Sequence, residues 1–196
     1  MELPPIVQTG AAVLRGRAAE LSPAQIATPE VQALIHTMIE VMRVAPGVGL
    51  AAPQIGIPLR LIVLEDRAET LATLDDAELH EKERVAFATR TIVNPVLRPI
   101  GDARVTFFEG CLSVDGFAAL VERHREVCVT GLDEHGAPVR WQVAGWPARI
   151  LQHEVDHVEG TLYIDRMLTR TFTTYAHVRA RFAGHSIAEI RRELGV

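Results

Sequence analysis

Two histidines lie four residues apart, His153 and His157, and Glu154 follows the first of them in the segment ILQHEVDHVEGTLY (150–163). On a helix this spacing places both imidazoles on one face, where they can bind the same metal ion. Glu154 projects about 100° around such a helix from His153, within reach of a water on that ion rather than of the ion itself. The segment therefore predicts two metal ligands and a proton carrier, and a third ligand must come from elsewhere.

The third ligand determines the kind of enzyme, and three residues can be considered for it. In one class of zinc endopeptidase a further histidine follows the glycine of HExxHxxG by three residues, but this chain has Tyr163 there. In another class a glutamate comes from a downstream helix; Glu189 is available, yet it fits better in a capping box with Ser186. The remaining option is Cys111 in FFEGCLSV, at the end of a predicted strand. A thiolate with two imidazoles leaves a fourth tetrahedral position open, which is typical of a catalytic site.

Length and composition are those of an ordinary globular protein, with 196 residues, 48% hydrophobic and 23% charged, and they predict a single domain spanning residues 1–196. The net charge of −5 argues against nucleic-acid partners, specific DNA included. No apolar run approaches the roughly eighteen residues needed to span a bilayer, so no membrane association is expected. Because the first residues resemble neither a secretory signal nor a transit peptide, we expect a cytoplasmic protein.

The first half of the chain contains one clear helix, which Thr28 caps and which Pro29 begins. Three glycines and three prolines in APGVGLAAPQIGIP (45–58) predict a stretch without regular structure. Residues 60–66 are typical of a strand. The charged residues 67–89 predict a surface excursion with some helix.

The second half predicts strands at 90–100 and 103–110, with Pro95 placing part of the first at an edge or a bend. A hairpin is expected over 125–145. Pro147 then opens the helix that carries the histidines, and Gly160 suits its C-terminal cap. A short final helix follows Ser186. The fold class is therefore α+β, with antiparallel or mixed sheets packed around a central metal-binding helix.

Three short motifs occur in a fixed order: GVGLAAPQ (47–54), EGCLS (109–113) and QHEVDH (152–157). Together they closely resemble the three signature motifs of peptide deformylases, and the resemblance runs from about residue 6 to residue 172. The segments EGCLSVDGFAALVERH and GWPARILQHEVDHVEGTLYIDRM are most similar to the organellar, plant-type branch of that family. Since no transit peptide is visible, we expect a bacterial enzyme of that sequence type.

The resemblance implies that the protein removes the formyl group from the N-terminal formyl-methionine of newly made proteins and releases formate. Glu154 would take a proton from the attacking water and pass it to the departing amine. The side chain of Gln54 and the backbone N–H of Leu112 would donate to the developing oxyanion. The implied metal ligands are Cys111, His153 and His157.

Substrate contacts follow from the same resemblance. The backbone of Gly49 would bind the peptide near the formyl group, which a residue without a side chain permits. Val48, Trp146 and Ile150 are candidates for the walls of an apolar methionine pocket, although Ile150 would serve equally well in an ordinary core. Glu109 would either pair with a basic group and brace the cysteine loop, or face the substrate.

The resemblance favours Fe²⁺ as the single divalent ion in the cell, while the donor set also suits Zn²⁺, Ni²⁺ or Co²⁺. A metal-stabilised binding module is the non-enzymatic alternative, but it would normally need four protein ligands. Nascent formyl-methionyl peptides are the expected partners. Basic residues concentrate in the C-terminal segment, where they form either a solvated surface or a transient contact with the ribosome. They are Arg166, Arg170, Arg179, Arg181, Arg191 and Arg192.

Overall fold

Two antiparallel sheets form the β part of the computed structural model, which describes residues 3–196. Their strands are β1 (Gly49–Ala51), β2 (Leu61–Asp66), β3 (Phe87–Pro99), β4 (Arg104–Cys111), β5 (Val114–His124), β6 (Glu126–Leu132), β7 (Pro138–Ala144) and β8 (Thr173–Thr174). The larger sheet has the order β1-β2-β3-β6-β7 and the smaller sheet the order β4-β5-β8. Neighbouring strands within both sheets run antiparallel, which confirms the predicted fold class.

Helices connect and cover the sheets. They are α1 (Pro23–Ile26), α2 (Pro29–Val44), α3 (Ala68–Leu71), α4 (Asp76–Glu81), α5 (Gly145–Val158), α6 (Tyr175–Arg181) and α7 (Ile187–Leu194). The helix α5 carries both histidines and contacts strands of both sheets. No helix among residues 3–196 combines the length and the apolar character that crossing a membrane requires.

The larger sheet lies between α2 and α5, and the alternation along β2 shows why. Leu61 and Val63 pack with the apolar face of α2, whereas Ile62 and Leu64 pack with α5. All four side chains are fully buried. Because both faces of the sheet are covered, α5 is held in the interior, as its apolar residues predict.

The smaller sheet is also covered on both faces. Ala119 and Val121 of β5 pack against Tyr163 and the N-terminal segment. On the opposite face Phe108 stacks on Phe182, just beyond α6, with ring centroids 5.8 Å apart. This sheet delivers the end of β4, and with it the cysteine of the EGCLS motif, to the side of α5.

Two predicted helix starts are confirmed. The Thr28 side chain accepts a hydrogen bond from the Val31 N–H at 3.4 Å, and Pro29 is the first residue of α2. Ser186 and Glu189 form the reciprocal capping box at the start of α7. These signals were readable because each cap is made within four residues of the chain.

The expectation that residues 45–58 lack regular structure is wrong in part. Gly49–Ala51 forms β1, in which Leu50 pairs with Val63. A 3₁₀ turn, Ala52–Ile55, follows directly, and Gly56 ends it with a φ of +82°. Most of the glycines and prolines lie at or beyond the ends of these two short elements rather than within them. Tertiary pairing with β2 overrides the weak local propensity.

Pro95 lies at a bend, not at an edge. β3 is the central strand, and its register on β6 shifts between Val93 and Val96. Asn94 adopts a φ of +52° in this bulge. Since the bulge leaves the Pro95 position out of the ladder, the missing N–H costs nothing there. The same strand begins at Phe87, inside the expected excursion, while α3 and α4 supply the helix predicted there.

The strand β5 was not predicted, and α5 begins earlier than expected. Four consecutive buried residues in β5, 118–121, remove the period-two signal because both faces of the small sheet are covered. The helix α5 begins at Gly145, whose φ of +67° permits the sharp turn out of β7, and Pro147 lies within its first turn. Gly160 follows the end of α5 with a φ of +77°, as its predicted capping role requires.

Candidate metal centre

The three predicted ligands converge at one point. The donor atoms of Cys111, His153 and His157 all lie within 4.8 Å of one another. The Sγ of Cys111 is 3.3 Å from the Nε2 of His157. Cys111 ends β4 and the two histidines lie on successive turns of α5, so the site joins the small sheet to the central helix.

The chemistry of these donors fits one divalent ion with an open position. Burial and the neighbouring His153 hold the pKa of His157 well below its usual value, so this imidazole is neutral and able to bind metal. For His153, burial lowers the pKa, but Cys111 and Glu109 outweigh burial and raise it. In the metal-free protein His153 therefore retains a proton, which metal binding must displace.

Glu109 orients the first histidine. Its Oε2 lies 3.1 Å from the Nδ1 of His153, which leaves the Nε2 of that ring for a metal. The Glu109 side chain is buried, and its carboxylate is occupied by His153 and by two arginines, Arg123 and Arg149. Of the two alternatives predicted for Glu109, these contacts support bracing of the cysteine strand rather than a face toward substrate.

Arg123 links two buried carboxylates. Its Nε and Nη2 donate to Glu109 at 3.0 and 2.9 Å, and its Nη1 donates to Asp156. Asp156 also accepts from Arg166 at 2.7 Å, which carries the network to the surface. Burial alone would raise the pKa of Glu109, but Arg123 and His153 outweigh burial and hold that pKa well below its usual range. Glu109 is thus a fixed negative charge behind the metal ligands.

The predicted oxyanion donor Gln54 faces the same point. Its Oε1 accepts from the Ala51 N–H at 2.8 Å, which orients the amide so that Nε2 points toward the cysteine. Nε2 lies 3.5 Å from the Sγ of Cys111 and 3.4 Å from the Oγ of Ser113. Leu112, between these two residues, is half-buried beside the loop of the first motif.

Glu154 lies against the first motif rather than in open space. It is 4% exposed, and its Oε2 has no hydrogen-bond partner among the described residues. Burial raises its pKa to about 7. A carboxyl group with such a pKa can both accept and donate a proton near neutrality.

Contact with Glu154 explains why residue 49 is glycine. A Cβ added to Gly49 would fall 2.7 Å from the Cδ of Glu154 and closer still to one of its carboxylate oxygens. Gly49 belongs to the edge strand β1, so the same absence of a side chain leaves its backbone approachable from the site. The structure thus places Gly49, Glu154 and the metal ligands together.

Gly49→Ala is expected to lower activity about 10²-fold, because the added methyl group displaces Glu154 by a distance that catalysis does not tolerate. Steady-state kinetics with a formylated peptide measures the loss, and a melting curve checks the fold. Gly16→Ala is the matched control, since its nearest contact would be a carbonyl oxygen 4.0 Å away. Equal activity of the two variants would contradict the close contact.

The three predicted pocket residues share one cluster. Ile150 is buried in it, and Val48 and Trp146 pack against it while partly exposed. The Trp146 ring lies edge-on to Phe107 at 6.2 Å and under the Lys82 ammonium group at 4.8 Å. Their role as walls of a methionine pocket stays a prediction.

Several residues around the site were not predicted. They are Arg123, Arg149, Ser113 and Tyr163, whose ring stacks on His153 at 6.3 Å. An available signal was the arginine one helical turn before the first histidine, on the face that has to be buried. A buried arginine needs a carboxylate, and Glu109 was the candidate.

Comparison with known proteins agrees with this geometry. The family model for polypeptide deformylase matches residues 3–172. The chain is 52% identical to peptide deformylase 1A, chloroplastic/mitochondrial, of Arabidopsis thaliana over 89% of this chain and 65% of the plant protein. It is 47% identical to peptide deformylase 1 of Streptomyces coelicolor, over 88% of this chain and 77% of that protein. The chain thus spans just under two thirds of the plant relative's length.

A solved structure of a peptide deformylase has a similar fold. The Met-Ala-Ser-bound class I type b peptide deformylase from Acinetobacter baumannii aligns with a TM-score of 0.75 and 31% identity, over 85% of this chain and 99% of that one. The predicted resemblance, the plant-type branch included, is confirmed. With the three motifs assembled around one buried site, the chain belongs to the polypeptide deformylase family.

Proposed function

We propose that this protein is a metal-dependent deformylase that removes the formyl group from the N-terminal formyl-methionine of newly made proteins and releases formate. The observation that carries the proposal is the convergence of Cys111, His153 and His157 with a buried Glu154 of raised pKa. A zinc endopeptidase would need a third ligand downstream, whereas the third donor that clusters with both histidines here is a thiol from β4.

The residues of the chain divide the reaction among them. A divalent ion held by the three ligands would supply Lewis-acid polarisation and lower the pKa of a bound water. Glu154 accepts the proton of the attacking water and later gives it to the departing amine. The amide of Gln54 and the N–H of Leu112 donate to the negative charge that develops on the formyl oxygen.

The strand order suggests how a peptide would lie. β1 pairs only with β2, and β4 pairs only with β5, so each has a free edge among the described strands. An extended peptide can pair with such an edge and present its N-terminus to the site. The relative from Acinetobacter baumannii was crystallised with Met-Ala-Ser, the deformylated form of a suitable substrate.

The proposal predicts that anaerobically prepared, Fe²⁺-loaded protein releases formate from formyl-Met-Ala-Ser. Coupled formate detection measures the rate, and mass spectrometry identifies Met-Ala-Ser as the other product. A peptide whose N-terminus is blocked by a group other than formyl should remain intact, since the protein is not expected to cleave a peptide bond between residues. Peptide-bond cleavage without formate release would support the endopeptidase alternative instead.

Three finer expectations belong to the same proposal. Fe²⁺ is proposed as the ion in the cell on the resemblance to the family, since the Cys/His/His donor set alone does not select among divalent metals. A cytoplasmic location stays a prediction. For ribosome contact, Arg166 and Arg181 are already paired with Asp156 and Glu193, which leaves fewer free cations than the sequence suggested.

The ribosome proposal therefore depends mainly on the exposed Arg179 and Arg192. Co-sedimentation with ribosomes at low salt tests it, because deleting residues 184–196 should weaken an electrostatic contact.

A further inference from the structure

Arg149 is a buried cation on the metal-binding helix. It is 2% exposed and lies one turn before His153 on α5. Its guanidinium donates to the Oε1 of Glu109, to the Val121 carbonyl at 3.1 Å and to the Val105 carbonyl at 2.8 Å. Burying an arginine is costly, and a well-packed apolar side chain of similar size is often as stable or more so. The position therefore calls for a reason other than packing.

The two oxygens of Glu109 connect β4 to consecutive turns of α5. Oε1 accepts from Arg149 and Oε2 faces the Nδ1 of His153. Glu109 lies two residues before Cys111 on the same strand. One carboxylate thus relates the strand that supplies the thiolate to the helix that supplies both imidazoles, and Arg149 holds the carboxylate oxygen that His153 does not use.

We propose that Arg149 is a positioning residue for the metal centre, acting through Glu109 to fix the Cys111 thiolate relative to the two histidines. The inference rests on the proposed metal site. Arg123 also holds Glu109, but it extends from β5 of the small sheet and connects the carboxylate to Asp156. Among the partners of Glu109, Arg149 and His153 are the two that belong to the helix bearing the ligands.

The test measures metal release rather than turnover. Full-length protein loaded with Co²⁺ is mixed with excess chelator, and loss of the thiolate-to-cobalt absorption is followed with time. Arg149→Met is expected to release the ion about tenfold faster than wild type, within the range for residues that orient metal ligands. Its cobalt absorption bands should also shift. Arg149→Lys keeps a cation for Glu109 and should stay within about threefold of wild type.

Two controls separate positioning from general loosening. Arg60→Met also removes a buried arginine, one that donates to the Pro95 carbonyl at 2.7 Å and pairs with Glu159 just beyond the end of α5 but does not contact Glu109. This variant should not change cobalt release. In a Glu109→Gln background, Arg149→Met should add little, because Arg149 acts through that carboxylate. Should Arg149→Met fail to fold, Arg149→Gln takes its place in every comparison.

The inference is overturned if Arg149→Met releases cobalt at the wild-type rate, if Arg149→Lys is as fast as Arg149→Met, or if Arg60→Met is equally fast. An undiminished effect in the Glu109→Gln background overturns it as well. A wild-type protein that shows no cobalt–thiolate absorption would overturn the metal site and this inference together. Failure of the inference alone is recognised by normal cobalt binding in wild type.

Discussion

Glu154→Gln is expected to lower kcat/KM for formyl-Met-Ala-Ser about 10³-fold, in the middle of the range for loss of a general acid–base. The amide has nearly the same shape as the carboxyl group but neither accepts the proton of the attacking water nor returns it to the amine. Because Glu154 is buried with a raised pKa, no other carboxylate of the site has the same combination of position and proton affinity. Glu109 is held ionised by its partners.

The control for this prediction is the metal content. Metal analysis of Glu154→Gln should give the same stoichiometry as wild type, since the three ligand atoms are unchanged. Glu81→Gln, an exposed change at the end of α4, should retain nearly full activity. Loss of metal from Glu154→Gln would indicate a ligand role, and activity within tenfold of wild type would remove Glu154 from the proposed mechanism.

Helix signals and metal ligands were readable from the sequence because they depend on short spacings. Thr28, Ser186 and Gly160 cap helices through contacts within a few residues. The spacing of His153 and His157 needs only one helical turn. Cys111 is different, because it lies far from the histidines along the chain. The sequence offers it as one of three candidate ligands, and the family motifs favour it. The fold brings it to the helix.

The elements that were missed depend on tertiary contacts. β1 is three residues long and exists because β2 lies beside it. β5 loses its alternation because helices and loops cover both faces of the small sheet. Neither feature can be predicted from local propensity, because strand propensities are weak and packing overrides them.

The surroundings of the metal ligands were the hardest part to predict. Glu109 left two alternatives open, since a glutamate two residues before a signature cysteine can face substrate or brace a loop. The decision depends on Arg123 and Arg149, which are 14 and 40 residues away along the chain. Only the folded arrangement shows that both guanidinium groups reach the same carboxylate.

Arg123→Met is expected to lower the free energy of unfolding by about 3–5 kcal/mol, the range for removing one member of a buried ion network. Arg123 is 3% exposed and donates to both Glu109 and Asp156. Without Arg123 each carboxylate loses a hydrogen-bonded cation. Water would have to enter the interior to replace this partner, which costs free energy. Urea denaturation at pH 7 with chelator present measures the change without a contribution from bound metal.

Arg104→Met on the neighbouring strand is the matched control, because Arg104 is about half exposed and its nearest carboxylate, on Glu122, is 4.0 Å away. Such a surface pair contributes at most about 1 kcal/mol. A loss below about 1 kcal/mol in Arg123→Met would show that the network adds little to stability. The buried carboxylates would then be kept for metal binding alone.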